Sequence, residues 1–334
     1  MNIERKNINN NFFYFNKRSK KKINDINLIS HIKSLKIPPA YTDVSISSNK
    51  RSKIQAIGTD TKKRKQYIYN TNYVENQKQL KFSDLIFFGK KIKKIRKDYT
   101  TNIEKSINNG IINNNIYNKN TIISIILYLI DKCNFRVGCE KYTKLYNSYG
   151  ATTLNKNHIN IYNSSVNIEF IGKKGVINKS NIKNKNICAI LEKLCSINNS
   201  DYLFYYKDDK NNKYKINEKH INDYLKKYHN TITVKMFRTW SANYTLLREL
   251  LAYDIPKTDN EAIKNVRNAI KKAAKNMHHS TNVSKKSYMN NEIIDMYLKQ
   301  PEKFSRLINF FRKKNGELPN INRLLNLILK YLLK

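Results

Sequence analysis

The chain has 334 residues, enough for one large domain or two of ordinary size around a substantial core. Its 64 Lys and Arg against 25 Asp and Glu leave a formal charge of +39, which repels itself unless a polyanion lies against it, so nucleic acid is the expected partner. Four cysteines at C-x5-C and C-x6-C spacing, with no histidine pair at zinc-finger distance, argue against both a disulfide framework and a zinc site.

Residues 1–30 are rich in Asn and Lys and read as a basic, low-complexity segment, partly disordered at its tip, with no signal-peptide core. Pro38-Pro39 then opens a stretch with short strands over 44–46, 54–57 and 66–69. Polar turns such as Gly58-Thr59-Asp60-Thr61-Lys62 separate them. Residues 31–77 are therefore expected to form a small β-rich domain, with a boundary within 73–81. A helix is predicted over 82–97, with Phe82, Leu85, Ile86 and Ile92 apolar. The lysines and Arg96 on its other side form either a solvated face or one turned to phosphates. Residues 121–133 are apolar nearly all round and predict a core helix. The apolar run from 122 to 130, broken by Ser124, is far short of the roughly 20 residues that span a bilayer, so a soluble intracellular protein is expected.

Alternation over 151–162 and 166–177, around Gly172-Lys173-Lys174-Gly175, suggests hairpin strands. Beyond about residue 186 the pattern is mostly helical, and 292–334 reads as amphipathic packing helices. No repeat of fixed period is visible. The expected class is α+β: a small β-rich N-terminal domain before a larger, mostly helical catalytic domain over 78–334.

A phosphodiester can be cut without metal if cationic and donor groups surround the phosphate as charge builds on its oxygens. Arginine suits this best, since its planar fork stays charged and matches paired oxygens. A tyrosine phenol can attack if its anion is favoured, and a lysine on a loop tip can protonate the leaving oxygen. The chain offers each part: Arg136 in Phe135-Arg136-Val137-Gly138, Lys173 at the hairpin tip with Lys174 as a competitor, and Arg238 in Lys235-Met236-Phe237-Arg238-Thr239. His279 and Tyr288 stand nine residues apart, with His278 as the neighbour open to confusion with His279. Taken singly, each has an ordinary structural reading, as a surface arginine or a packed histidine.

In this order the motifs resemble the small type IB DNA topoisomerases of poxviruses and related large DNA viruses. The similarity covers about residues 33–290. It starts with Leu35-Lys36-Ile37-Pro38, Thr42-Asp43-Val44 and the run from Gly58 to Tyr69. It continues through Phe135-Arg136-Val137-Gly138, Lys141-Tyr142, Thr153 to Ile159 and Phe170-Ile171-Gly172-Lys173. It ends with Lys235, Arg238-Thr239, Asn243 and His279 to Tyr288-Met289. The resemblance implies that Tyr288 attacks DNA to form a 3′-phosphotyrosyl bond. Arg136, Arg238 and His279 would stabilise the transition state and Lys173 would protonate the leaving 5′ oxygen. The cut strand would then swivel and be rejoined, without ATP, metal or cofactor. No G-x-x-x-x-G-K-[ST] loop is present.

The resemblance further implies a monomer clamping double-stranded DNA, in a virion or host-cell cytoplasm if the chain is viral. Gln66, Tyr67, Tyr69, Lys141, Tyr142, Lys235 and Asn243 fall at positions that contact DNA. Tyr67 and Tyr69 share one face of their strand, opposite Gln66 and Ile68, and β-core packing is the alternative for the tyrosines. Two departures stand out: Cys139 replaces a basic residue, and His278 replaces the glycine expected before the active histidine. A tyrosine recombinase is the nearest rival. It usually has a histidine where Lys235 stands and an all-helical N-terminal domain. A non-catalytic DNA-binding protein on the same scaffold is the other rival, and it would have no use for a nucleophile.

Overall fold

Asn9 and Asn10 form the first turn of the chain. Both lie in the left-handed region, with φ of 52° and 60°, which asparagine tolerates well and a two-residue hairpin turn requires. They join β1 (Ile3–Ile8) to β2 (Asn11–Asn16), with Ile8 opposite Asn11. The computed structural model describes residues 1–108, 118–162, 164–197, 202–313 and 320–333. It divides into two compact units, Met1–Lys81 and Phe82–Lys334.

In the first unit β1 also pairs with β3 (Thr42–Ile46), followed by β4 (Ile54–Thr59) and β5 (Lys65–Tyr69). The result is a five-stranded antiparallel sheet of order β2-β1-β3-β4-β5. Helix α1 (Ile26–Ser34) is capped by Asp25, whose carboxylate accepts from the Asn27 and Leu28 N–H groups. It brings Ile32 into a small core with Ile3, Val44, Ile46 and Ala56. Residues 1–30 are thus two strands and a helix rather than a low-complexity tail. Their lysines and asparagines mask a run of strong strand formers, residues 12–15. Cations lie over three of these rings: Arg5 over Phe12 at 4.3 Å, Lys22 over Phe13 at 4.3 Å and Lys6 over Phe15 at 5.1 Å.

Helix α2 (Thr71–Asn108) runs unbroken through the stretch where the boundary was expected, so the division between the units, after Lys81, falls inside a helix. In the second unit its residues Phe82, Leu85, Phe88, Ile92 and Ile95 are buried. Phe88 meets Phe237 and Trp240 edge-on, at 4.9 and 5.9 Å between ring centroids. Helix α3 (Lys119–Cys133) is buried almost all round, as its composition predicts. Asp131 near its end accepts two hydrogen bonds from Arg96, both 2.8 Å, and one from the Tyr99 hydroxyl at 2.7 Å. This buried charge is paired and hydrogen-bonded, as burial requires.

Helix α4 (Glu140–Tyr146) and two 3-10 turns, Ala151–Thr153 and Lys156–His158, come next. A three-stranded antiparallel sheet follows, made of β6 (Ile159–Tyr162), β7 (Ser165–Ile171) and β8 (Ile177–Ile182). The strand expected from 151 therefore begins only at 159. Asn155 caps the second 3-10 turn from its side chain and so competes with strand geometry. Among the described residues that follow, the strands β9 (Tyr205–Lys207) and β10 (Lys213–Lys215) stand among helices: α5 (Lys185–Ile197), α6 (Glu218–Lys226), α7 (Lys235–Leu250), α8 (Asp259–Asn276), α9 (Thr281–Ser287), α10 (Asn291–Lys299), α11 (Pro301–Lys313) and α12 (Ile321–Leu332). No described helix is long and apolar enough to cross a membrane.

Candidate active site

Four of the five residues singled out for chemistry meet in the second unit. Arg136 follows α3 in a segment fixed by backbone bonds, where its carbonyl accepts from Ala151 N–H at 2.8 Å and the Val137 carbonyl from Thr152 N–H at 2.7 Å. A Cβ on Gly150 would collide with the backbone of Arg136 and Gly138, so only glycine permits this approach. Arg136 is half-buried, and its Nη1 donates to the Tyr288 hydroxyl at 2.7 Å. Arg238 lies in the first turns of α7 and is only 5% exposed. Its Nη2 donates to the Met277 carbonyl at 2.9 Å. Its Nε and Nη1 are buried and make no hydrogen bond among the described residues, although the guanidinium carbon stands 5.5 Å from the centre of the Tyr288 ring.

His279 packs its ring on that of Tyr288, with centroids 4.9 Å apart and planes 21° from parallel. Its Nδ1 lies 3.3 Å from Ser284 Oγ and 3.4 Å from the Ser280 carbonyl, whereas Nε2 is buried and unpartnered among the described residues. The two histidines are now distinct. His278 turns away and its Nε2 lies 3.0 Å from the Cys133 carbonyl.

The charges set the protonation states. Burial alone would raise the Tyr288 phenol, but the charges of Arg238 and then Arg136 outweigh it and hold the phenol below its ordinary value of 10. Burial pulls Arg238 down to about 10, so it remains charged near neutrality. His279 is lowered to about 4, first by burial and then by Arg238 and Arg136. For His279 the unfolded chain binds more protons than the folded one between about pH 4 and its ordinary 6.5. Its contribution is thus fully present above pH 6.5 and is lost as the pH falls towards 4. The melting temperature should fall over that window, and His279→Gln should flatten the fall. A series of thermal melts from pH 4 to 7 on both proteins checks this.

Lys173 and Lys174 sit exposed at the β7–β8 tip, where Lys174 is left-handed with φ 66°. The tip is built tightly. Gly172 N–H donates to the Val176 carbonyl at 2.8 Å, and a Cβ on Gly172 would collide with the Asn178 amide. Neither lysine makes a hydrogen bond or ion pair with the Tyr288 cluster among the described residues, so the structure does not bring the fifth residue to the other four.

Among the residues matched to DNA contacts, one is turned into the protein. Asn243 is fully buried, and its Nδ2 donates to the carbonyls of Thr239 and Tyr288, each at 2.8 Å. Its Oδ1 accepts from Asn290 N–H at 2.7 Å. Both amide hydrogens are consumed inside the protein, and the side chain fixes the backbone on both sides of Met289 and thereby the root of Tyr288. Nothing in the sequence pattern separates a buried amide from an exposed one here. Asn243→Ala leaves a buried carbonyl and N–H unpaired, at about 2 kcal/mol of stability. It should slow attack by Tyr288 while leaving DNA affinity unchanged; chemical denaturation and single-turnover cleavage read the two effects.

The other matched positions are open to solvent or nearly so. Tyr67 and Tyr69 are 46% and 40% exposed and stacked at 6.3 Å, and Tyr73 extends the row at 5.8 Å from Tyr69. They do not pack in the β core, whereas Ile68 between them does. Gln66 is half-buried and donates to Asp60 at 2.9 Å. Lys141 and Tyr142 are exposed on α4, where Tyr146 stacks on Tyr142 at 6.2 Å. Tyr73 and Tyr146 were not anticipated; Tyr146 stands one helical turn from Tyr142 on α4, at the i, i+4 spacing that would have found it, whereas Tyr69 ends β5 and Tyr73 lies on α2. Lys235 is exposed at the start of α7 and paired with Glu218 at 2.8 Å.

A phenol kept acidic by two arginines, beside a neutral histidine and two unused guanidinium nitrogens, is fit to transfer a phosphodiester to tyrosine. The catalytic-core model of eukaryotic DNA topoisomerase I matches residues 61–314, and the N-terminal domain model of bacterial DNA topoisomerase IB matches residues 11–60. DNA topoisomerase 1B of Acanthamoeba polyphaga mimivirus is 34% identical over 303 residues, 88% of this chain and 86% of that protein. DNA topoisomerase 1B of vaccinia virus is 25% identical over 281 residues, 79% of this chain and 80% of that protein. The chain belongs to the type IB DNA topoisomerase family: it is an isomerase, and DNA is its substrate.

Proposed function

We propose that the enzyme relaxes supercoiled double-stranded DNA through a transient break in one strand, with Tyr288 as the nucleophile. The observation that carries this reading is the convergence of Arg136, Arg238 and His279 on the Tyr288 ring and hydroxyl, with Arg238 Nε and Nη1 and His279 Nε2 unspent. The two Arg238 nitrogens and the Arg136 fork supply donors for a phosphate's non-bridging oxygens as negative charge grows there, and His279 Nε2 joins them in the tautomer whose Nδ1 accepts from the Ser284 hydroxyl.

The Tyr288 oxygen bonds to phosphorus as the bond from phosphorus to the 5′ oxygen breaks. The phenol gives up its proton to solvent, and Lys173 at the hairpin tip, with Lys174 as the competitor, protonates the 5′ oxygen. The product is a 3′-phosphotyrosyl bond and a free 5′-hydroxyl strand end. After swivelling, that hydroxyl attacks the same phosphorus and Tyr288 leaves. One phosphoester replaces another at each step, so the cycle needs no ATP, and the Arg136 and Arg238 guanidiniums supply the positive charge that a divalent cation would otherwise bring to the phosphate.

In this reading the protein acts as a monomer that closes on the duplex as a clamp. Tyr67 and Tyr69 of the first unit and Lys141, Tyr142 and Lys235 of the second meet sugars and phosphates, which position rather than specify. The matched relatives are viral, which supports a viral origin and work in the particle or the host-cell cytoplasm. Incubation with supercoiled plasmid in EDTA without ATP tests the proposal: stepwise relaxation is expected, and binding without relaxation would overturn it.

A further inference from the structure

Helix α8 ends in a tight left-handed turn. His278 N–H donates to the Lys275 carbonyl and His279 N–H to the Ala274 carbonyl, both at 3.2 Å, and His278 itself has φ 53°. This is the hydrogen-bond pattern that ends helices with a residue in the left-handed region, a place that favours glycine. A histidine here keeps the turn and adds a side chain. That side chain reaches across to α3, where its Nε2 lies 3.0 Å from the carbonyl of Cys133, the last residue of that helix. Its ring also stands 5.9 Å from that of Phe135. A carbonyl only accepts, so the imidazole donates from Nε2.

The contact closes a loop through the site. Cys133 is three residues before Arg136, and His278 is one residue before His279. Arg136 bonds the Tyr288 hydroxyl, and Tyr288 stacks on His279. We infer that His278 is a positioning residue: its imidazole is a strut between the ends of α3 and α8 that sets the distance between the Arg136 and His279 loops, and so the donor geometry around Tyr288. The inference rests on the reading of the site given above. Burial, and then the charge of Arg238, keep the His278 pKa below its ordinary 6.5 despite the bond to Cys133, so the strut is neutral at working pH.

Three variants separate the strut from the backbone turn. His278→Gly keeps the left-handed turn and removes the strut. His278→Asn also tolerates that conformation but is too short to reach Cys133, while His278→Gln carries an amide donor about as far out as Nε2. Single-turnover cleavage of a labelled duplex should slow about 10-fold in the Gly and Asn variants, with equilibrium DNA affinity and melting temperature close to the parent. The Gln variant should recover most of the rate. Parent-like cleavage by the Gly or Asn variant would overturn the inference, as would a slow Gln variant that melts like the parent. If the Gly variant fails to fold, Asn against Gln decides alone. The parent protein runs alongside: if it does not cleave, the reading of the site fails, whereas a cleaving parent matched by its Gly variant removes only the strut.

Discussion

Tyr288→Phe should lower covalent attachment to DNA by about 10^4-fold or more while leaving affinity within about twofold of the parent. The substitution deletes one oxygen. It keeps the ring that stacks on His279 at 4.9 Å, and it keeps Asn243's hold on the backbone carbonyl of residue 288. It removes the acceptor of the Arg136 bond, and Arg136 and Arg238 are then free to bind a phosphate as before. A residual adduct at the parent level would assign attack to one of the other tyrosines. A comparable loss of affinity would make the hydroxyl a binding group. An SDS-quenched gel for the adduct and a mobility titration for binding read the two quantities separately.

Arg238→Ala should slow cleavage by about 10^3-fold with little change in affinity, the scale of losing one preorganised donor to a transition-state oxyanion. Arg238 holds its guanidinium almost wholly out of solvent, with one nitrogen spent on the Met277 carbonyl and two unspent. Such a group gains most when charge appears beside it. Arg238 is also the largest influence lowering the Tyr288 phenol, so the rise of cleavage rate with pH should shift to higher pH in the variant. Arg238→Lys should restore little, because an ammonium lacks the planar fork. The Met277 carbonyl loses its donor in either variant, and a melting curve shows how much of the loss is structural. Equal falls in affinity and rate would make Arg238 a phosphate anchor.

Much of the fold was legible because its signals are local. The apolar density of α3 and the alternation of β3 to β5 are set by nearest neighbours, and the structure places these elements where the pattern predicts them. The β1–β2 hairpin was missed because Asn9-Asn10 in an Asn-rich stretch looks like composition rather than a turn. The strand start at 159 was missed because side-chain capping by Asn155 is invisible to a period-two pattern. In the site, residue types announced the arginines, the histidine and the tyrosine. Burial decided what they could not: that Asn243 braces the Tyr288 segment, and that of two adjacent histidines it is His279 that faces the nucleophile.

The most direct test of the central claim is to map the covalent adduct formed on a duplex labelled separately at its 5′ and 3′ ends. Digestion of the trapped complex should yield one modified peptide, with Tyr288 joined to a 3′ phosphate and the other strand end left as a 5′-hydroxyl. A relaxing enzyme whose adduct maps to a different tyrosine, or to a 5′ phosphate, would contradict the account.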